Sequence, residues 1–270
     1  MNRKAGIKMA IPRIIHYCWL GGAEKPESVL RCIASWKKYC PDYQIKEWNE
    51  SNLDINSNRY TQEAYEAKAW GFVPDYLRLW IVYNYGGIYL DTDVQVLRCF
   101  DSLLNNKAFI GFERDTGDSN GMFVNCGQGF GAEPRNEVIA AHMALYEDLQ
   151  FALQDGSYNR TPSPHYTTSI MKQFGLDNKR NETQDLGSIV VYSDDYFCPK
   201  SFATGLVRKS KNTYSIHQFD GSWFSAEEKE RRYRWEHEAK KDYWIHLPNR
   251  VLKRVLGESA YQTLKSILGR

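Results

Sequence analysis

The sequence predicts an α/β fold with a mostly parallel sheet, followed by a helical appendage at its C-terminal end. The first fifty residues follow the order strand, helix, strand, which is the order of a βαβ unit. An apolar strand near residue 90 ends in two acidic residues, and open α/β sheets bind ligands beside such carboxyl ends. From residue 226 the composition changes to dense charge mixed with aromatic residues. With 270 residues, 42% of them hydrophobic, the chain can bury one large core.

The first βαβ unit is predicted from the pattern of apolar residues. The segment from Ile14 to Leu20 indicates a buried strand, and Gly21 and Gly22 end it. The segment PESVLRCIASWKKYC then carries apolar residues at helical spacing, with Pro26 near its start. The segment YQIKEWN alternates apolar and polar residues, as a half-buried strand does. A helix between two strands favours their parallel pairing.

A second helix carries two charged residues of chemical interest. Pro74 suits the first turn of this helix, where no backbone N–H is needed, and Gly86 suits its end. Asp75 and Arg78 are three residues apart, so they share one face of the helix. Their role could also be purely structural, because an acid such as Asp75 stabilises the first turn of a helix and Arg78 could form an i,i+3 ion pair with it.

Asp91 and Asp93, in the segment GIYLDTDV, follow a short strand over residues 88–90. Residues two apart in an extended chain point the same way, so both carboxylates can reach one site. Two like charges at the end of a buried strand repel each other unless a cation lies between them. Carboxylate oxygens suit Mn²⁺ or Mg²⁺, which often bind phosphate oxygens as well. A solvated strand end or a pair of helix N-caps is the alternative that this motif alone leaves open.

The remaining segments complete the predicted sheet. Residues 108–113, 188–197 and 213–219 indicate further strands. Residues 125–136 are rich in glycine and indicate a loop, which leads into a helix over residues 137–152.

Composition and charge exclude some functions. A formal charge of +2 is too small to favour nucleic acid as a partner. The six cysteines form neither a CxxC pair nor a metal-binding spacing with histidine, which predicts free thiols in a reducing compartment. Pro12, Arg13 and His16 interrupt any apolar leader, and no segment is long and apolar enough to cross a membrane. The expected location is therefore the cytoplasm.

The last segment has a charge pattern of its own. From residue 226 there are eleven Lys and Arg against seven Asp and Glu, in a chain whose total is only +2. The segment PNRVLKRVL predicts an amphipathic helix with a basic face, preceded by Trp244, Ile245 and Leu247. Basic residues with aromatic neighbours are attracted to anionic membranes, so residues 249–270 are expected to contact the inner face of the cell membrane. Docking of this helix on the α/β domain is the alternative.

Three sequence blocks resemble one enzyme family. The segment FVPDYLRLWIVYNYGGIYLDTDV is similar to the core signature of the family GT32 glycosyltransferases, which carry a DxD sugar-binding region. That family includes Och1-type mannosyltransferases and bacterial capsular polysaccharide transferases. The glucosylating domains of large clostridial toxins resemble it more distantly. The segments IPRIIHYCWLGG and NTYSIHQFDGSW match its opening and closing blocks, so the resemblance spans residues 11–224.

The resemblance implies a fold and a reaction. The fold is expected to be GT-A, a single Rossmann-like domain with a mixed, mostly parallel sheet over residues 1–225, followed by the appendage of residues 226–270. The expected reaction is metal-dependent transfer of a hexose, with retention, from a nucleotide diphosphate sugar to a hydroxyl of a glycan or lipid-linked glycan. UDP is favoured over GDP by analogy, and bacterial surface polysaccharide synthesis is the expected role.

The resemblance also implies roles for individual residues. Metal ligands are expected at Asp91, Asp93 and His217, where His217 could contact phosphate instead. Catalytic residues are expected at Asp75, Arg78, Asp91 and Asp93, of which Asp75 and Arg78 would hold the hydroxyls of the donor sugar. The other donor-binding residues are expected to be Trp19 beneath the base, Asn125, and Ser222 and Trp223 over the diphosphate.

One departure and two rival functions remain at this stage. Residues 161–164 read TPSP where the family has TGP, which leaves the identity of the sugar open. A metal-dependent nucleotidyltransferase or sugar-nucleotide hydrolase would use the same pair of acids. A non-catalytic sugar-nucleotide-binding protein is the other alternative, although binding alone rarely needs a metal.

Overall fold

The computed structural model describes residues 10–221, 224 and 226–267, and these residues form ten strands and eight helices. The strands are β1 (Ile14–Cys18), β2 (Gln44–Trp48), β3 (Gly87–Tyr89), β4 (Val94–Val96), β5 (Ala108–Asp118), β6 (Gly121–Val124), β7 (Phe130–Ala132), β8 (Gln184–Asp185), β9 (Val190–Tyr192) and β10 (Ser215–His217). The helices are α1 (Glu27–Tyr39), α2 (Arg59–Glu66), α3 (Pro74–Tyr85), α4 (Glu137–Glu147), α5 (Ser163–Gln173), α6 (Asp194–Phe197), α7 (Ala226–Leu256) and α8 (Glu258–Ile267).

The main sheet has the order β2-β1-β3-β7-β5-β9-β8, and β6 pairs with β5 beside this path. Strands β2, β1 and β3 run parallel to one another, and so do β5 and β9. Strand β7 runs antiparallel to both β3 and β5 and so joins the two parallel parts. The predicted α/β class with a mixed sheet is confirmed.

Both faces of the main sheet are covered by helices. Side chains alternate along β3, so Tyr89 joins one apolar cluster, with α3, α4 and α5, while Ile88 and Leu90 join the other, with α1. Trp36 on α1 is fully buried, and its indole N–H donates to the carbonyl oxygen of Val94 at 2.7 Å. This three-layer arrangement is the Rossmann-like organisation that the GT-A prediction requires.

Helix α3 begins and ends where the sequence predicts. Pro74 is its first residue, where the missing N–H leaves no hydrogen bond unmade. Gly86 follows its last residue with a φ of +65°, and its N–H donates to the carbonyl oxygen of Val82. A Cβ on Gly86 would lie 2.7 Å from the ring of Pro134 and 2.8 Å from the ring of Pro12. The turn from α3 into β3 therefore depends on glycine.

Three expectations for the middle of the chain are wrong. Of residues 188–197, predicted to be a strand, only Val190–Tyr192 form β9, and Asp194–Phe197 form the helix α6. Strand β7 lies inside the segment predicted to be a loop, because Gly131 leaves room for the ring of Phe109, which is 2.6 Å from where its Cβ would be. The glycines of this segment thus allow close packing of a short strand as well as turns. Helix α4 ends at Glu147, before the predicted residue 152.

The chain divides into two compact units. In the described residues, the first contains 10–202 and 207–221, and the second contains 203–206, 224 and 226–267. The second consists mainly of the long helix α7, which includes Pro248, and of α8. The boundary predicted at residue 226 stays a prediction.

Candidate active site

Asp91 and Asp93 lie in the turn between β3 and β4, at the carboxyl end of β3. The backbone N–H of Asp91 donates to the carbonyl oxygen of Gly127 at 3.0 Å, and the N–H of Val94 donates to the carbonyl oxygen of Asp91 at 3.1 Å. These two bonds hold the Asp-Thr-Asp turn at the end of a strand that is buried on both faces. Trp19 follows β1, the parallel neighbour of β3, so it lies at the same edge of the sheet.

His217 joins the two aspartates through a small second sheet. Strand β10 pairs antiparallel with β4, and His217 is opposite Val94, the residue after Asp93. Single ligand atoms of Asp91, Asp93 and His217 all lie within 4.8 Å of one another. Nε2 of His217 is 3.4 Å from Oδ1 of Asp93.

The size and chemistry of this cluster fit a divalent cation. Ligand atoms around an octahedral Mg²⁺ or Mn²⁺ are about 2.9 to 4.2 Å apart, so the three groups need only small shifts to bind one ion. Two carboxylate oxygens and one imidazole nitrogen form a donor set that Mn²⁺ accepts. The side chain of Asp91 is 26% exposed, whereas those of Asp93 and His217 are buried. The remaining coordination positions would therefore open on the Asp91 side.

The charges at this cluster are uneven. Burial raises the pKa of Asp91, and neighbouring Asp93 adds to the shift although Arg78 opposes it. Burial would raise the pKa of Asp93 as well, but contact with His217 outweighs it and lowers that pKa. Burial alone would lower the pKa of His217, but Asp93 raises it well above its usual value. A protonated imidazole thus neutralises Asp93, and a cation bound here would replace that proton.

Arg78 lies between two carboxylates behind the cluster. Its Nη2 is 2.6 Å from Oδ1 of Asp75, and its Nη1 is 3.5 Å from Oδ2 of Asp91. The side chains of Asp75 and Arg78 are almost completely buried. Burial raises the pKa of Asp75 to about 7 although Arg78 opposes the shift, whereas both carboxylates keep the guanidinium of Arg78 charged. Arg78 therefore connects the first turn of α3 to the end of β3.

The segment after β6 packs tightly against these charges. A Cβ on Gly127 would lie 2.2 Å from Oδ2 of Asp91 and 2.9 Å from Nη1 of Arg78, so only glycine fits. The side-chain oxygen of Asn125 accepts from the N–H of Gly127 at 2.6 Å, and its amide nitrogen donates to Oε1 of Glu113 at 2.7 Å. Asn125 is thus close to the cluster but uses both ends of its amide within the protein.

The other predicted donor-binding residues are placed as follows. Trp19 is partly exposed, its indole N–H donates to the carbonyl oxygen of Ala23 at 2.7 Å, and Nζ of Lys25 is 5.6 Å from its ring centre. Ser222 and Trp223 lie outside the described residues. The preceding segment is anchored at the cluster, because the N–H of Asp220 donates to Oδ2 of Asp93 at 3.0 Å.

The sequence interpretation missed Glu113. This residue lies on β5, its side chain is 7% exposed, and its Oε1 is 3.7 Å from Nδ1 of His217. The available signal was a single acidic residue at the end of the apolar strand AFIGFE. Nothing in the sequence indicates which residue this side chain faces.

Comparison with known proteins identifies the region around the two aspartates. Residues 26–110 match the family model described as a glycosyltransferase sugar-binding region containing a DXD motif. A segment of 119 residues is 35% identical to inositol phosphoceramide mannosyltransferase 3 of Schizosaccharomyces pombe. The match covers 42% of this chain, and the chain spans about a third (33%) of the length of that relative.

Solved glycosyltransferases give looser likenesses. The PaToxG glycosyltransferase superposes with a TM-score of 0.46 at 20% identity, over 60% of this chain and 69% of that one. A glycosyltransferase involved in glycosylation of the major capsid of PBCV-1 gives a TM-score of 0.46 at 14% identity, over 83% and 100% of the two chains. Galactosyltransferase LgtC, in complex with donor and acceptor sugar analogues, gives 0.40 at 14% identity, over 84% and 95%.

At such TM-scores these likenesses assign neither substrate nor mechanism. The family-model match is more specific, because it includes the segment that folds into α3, β3 and the acidic turn. Residues 26–110 thus match a glycosyltransferase sugar-binding region whose DXD motif corresponds to Asp91 and Asp93, and the resemblance predicted from the sequence is confirmed for this segment.

Proposed function

We propose that this protein is a metal-dependent, retaining glycosyltransferase that moves a hexose from a nucleotide diphosphate sugar to a hydroxyl of a glycan. The supporting observation is the convergence of Asp91, Asp93 and His217 within 4.8 Å, at the carboxyl end of β3 inside the DXD region. UDP is the proposed nucleotide, Mn²⁺ or Mg²⁺ the proposed ion, and bacterial capsular or surface polysaccharide synthesis the proposed role.

In this proposal Asp91, Asp93 and His217 hold the ion, which when bound neutralises charge on the departing nucleoside diphosphate. Arg78 fixes the carboxylate of Asp91 from behind, through its contact with Oδ2. Asp75 and Arg78 meet the hydroxyls of the donor sugar, which must reach the floor of the site because both side chains are buried. Trp19 stacks on the base at the same edge of the sheet, and Ser222 and Trp223 cover the diphosphate.

The arrangement of carboxylates favours a front-face reaction. Double displacement needs a free carboxylate beside the anomeric carbon as nucleophile. Among the described residues around the cluster, Asp91 and Asp93 are the proposed ligands, Asp75 is paired with Arg78, and Glu113 is buried behind His217. The carboxylate of Asp220, whose N–H donates to Asp93, is hydrogen-bonded to Ser28. In the proposed step, the bond from the anomeric carbon to the diphosphate breaks while the acceptor oxygen bonds on the same face. The departing diphosphate oxygen takes the proton of the acceptor.

The reaction is tested with a panel of nucleotide sugars and Mn²⁺, measuring release of nucleoside diphosphate with and without glycan acceptors. Asp93→Asn should abolish release while the protein remains folded, because it removes ligand charge at a strand end rather than core packing. Asp42→Asn, at an exposed aspartate, is the matched control and should keep wild-type activity. Near-normal activity of Asp93→Asn, or of the wild type in excess EDTA, would refute the metal assignment. Release of the sugar 1-phosphate, which leaves when the nucleoside monophosphate is transferred or hydrolysed, would indicate the rival activities instead.

We further propose that residues 249–270 contact an anionic membrane surface. On the described part of α7, Trp244, Ile245, Val251 and Val255 are 55%, 59%, 52% and 74% exposed, and their spacing places them on one side of the helix. The surplus of basic residues in this segment supplies attraction of about 1 kcal/mol for each side chain near the surface. Among the described residues, no helix is both long and apolar enough to span a bilayer.

A further inference from the structure

We propose that Glu113 is a positioning residue for the metal centre, which orients the imidazole of His217 so that its Nε2 faces the ion. This inference rests on the metal site of the proposed function and extends it to a carboxylate that binds neither ion nor donor. Glu113 lies on β5 of the main sheet, whereas His217 lies on β10 of the small second sheet. The contact between them therefore joins the two sheets at the site.

The imidazole of His217 lies between two carboxylates. Its Nε2 is 3.4 Å from Oδ1 of Asp93, and its Nδ1 is 3.7 Å from Oε1 of Glu113. Nδ1 is buried, and 3.7 Å is longer than a hydrogen bond, so a shift of about 0.7 Å would complete one. When Nδ1 carries the proton and faces Glu113, the lone pair of Nε2 is free to bind a metal.

Glu113 is itself held in place by a hydrogen-bonded chain. Nδ2 of Asn125 donates to Oε1 of Glu113 at 2.7 Å, and Oδ1 of Asn125 accepts from the N–H of Gly127 at 2.6 Å. The carbonyl oxygen of Gly127 in turn accepts from the N–H of Asp91 at 3.0 Å. One buried network thus reaches His217 at one end and Asp91 at the other, so it fixes two of the three proposed ligands relative to each other.

Loss of such a supporting carboxylate typically weakens metal binding 10- to 100-fold. Glu113→Leu removes both the charge and the hydrogen-bond acceptor, so we expect the dissociation constant for Mn²⁺ to rise by about that factor. Glu113→Gln keeps an oxygen that can accept from both Asn125 and His217, and we expect it to restore part of the lost affinity. Asp194→Asn is the matched control, because Asp194 is another buried carboxylate, paired with Arg114 beside Glu113 on β5.

The experiment uses the full-length protein and two measurements that do not depend on activity. Titration with Mn²⁺, followed by electron paramagnetic resonance, gives the affinity of each variant. NMR of ¹³C-labelled histidine in Mg²⁺ gives the tautomer of His217, which we expect to be the Nδ1–H form in the wild type. Glu113→Leu should bind Mn²⁺ more weakly than the wild type and lose the single tautomer. Glu113→Gln should bind Mn²⁺ with an affinity between those of the wild type and the leucine variant, which keeps the test usable if Glu113→Leu fails to fold.

The outcomes separate this inference from the proposed function. If the wild type binds Mn²⁺ and both Glu113 variants bind it equally well, Glu113 does not position the ligand and the metal site stands. The inference is also wrong if Asp194→Asn weakens Mn²⁺ binding as much as Glu113→Leu, since any buried carboxylate would then serve. A wild type that binds no Mn²⁺ overturns the metal site and this inference together.

Discussion

Alanine in place of Gly127 would show whether Asp91 must stay where it is for the site to bind a cation. The added Cβ would lie 2.2 Å from Oδ2 of Asp91, whereas carbon and oxygen normally approach no closer than about 3.3 Å. The backbone of Gly127 lies outside the left-handed region, so alanine adds this steric conflict and little else. Since the backbone of Asp91 is bonded to the carbonyl oxygen of Gly127, its carboxylate must retreat by about 1 Å.

A displacement of this size exceeds what metal coordination allows. Ligand distances must be correct to about 0.2 Å, so we expect Gly127→Ala to weaken Mn²⁺ binding about 10- to 100-fold. Overpacking should also lower the free energy of unfolding by about 1–3 kcal/mol, which is a loss of roughly 2–12 °C in Tm for a chain of this size. Both effects follow from one atom placed beside one carboxylate.

Titration with Mn²⁺ and thermal melting, with and without the ion, measure these two effects separately. Gly156→Ala is the matched control, because Gly156 has a φ of +82° but no atom within 4 Å of an added Cβ. That variant should lose stability through backbone strain and keep wild-type affinity for Mn²⁺. If Gly127→Ala binds Mn²⁺ as tightly as the wild type, Asp91 is not the ligand that the geometry indicates.

Three further predictions concern the donor, acid stability and the membrane. Asp75→Ala and Arg78→Ala should lower the transfer rate and sugar discrimination more than the affinity for UDP. If calorimetry shows that these two variants lose as much affinity for UDP as Trp19→Ala does, this prediction is wrong. Burial lowers the pKa of His16 from 6.5 to about 4. Between these two pH values only the unfolded chain binds the proton, so the free energy of unfolding decreases as the pH is lowered. The fall in unfolding free energy from pH 7 to pH 5, measured with urea, should be about 2 kcal/mol smaller in His16→Gln, and an equal fall would exclude this origin. Deletion of residues 249–270 should abolish salt-sensitive binding to anionic vesicles, and a truncated protein that still sediments with them would refute the membrane proposal.

Local sequence signals predicted the part of the site that lies on α3 and β3. Pro74 and Gly86 are the boundaries of α3 because a proline ring and a positive φ each suit only certain positions. The apolar strand that follows is short, so the Asp-x-Asp turn must lie at the carboxyl end of that strand. These features are set by residues close together in the chain, so they can be read without knowing the rest of the fold.

Contacts between distant segments could not be predicted in the same way. His217 was expected near the metal only from resemblance, and what places it there is the pairing of β10 with β4. No neighbouring residue in the sequence marks Glu113, because its role depends on His217, which β10 places 3.7 Å from it. The glycines near residue 130 fit a loop and a tightly packed strand equally well, and only the ring of Phe109 decides between them.

The pairing of β4 with β10 has a consequence for how the protein matures. Asp93 leaves the ribosome long before His217, so a nascent chain has the acidic turn well before it has the third ligand. A two-stranded sheet is only marginally stable by itself, and a cation bound across it would link its formation to occupancy. Amide hydrogens of β10 should therefore exchange more slowly in the presence of Mn²⁺, while those of β1 and β3 should be less affected. The proposed metal site would then form after the main sheet, when β10 pairs with β4.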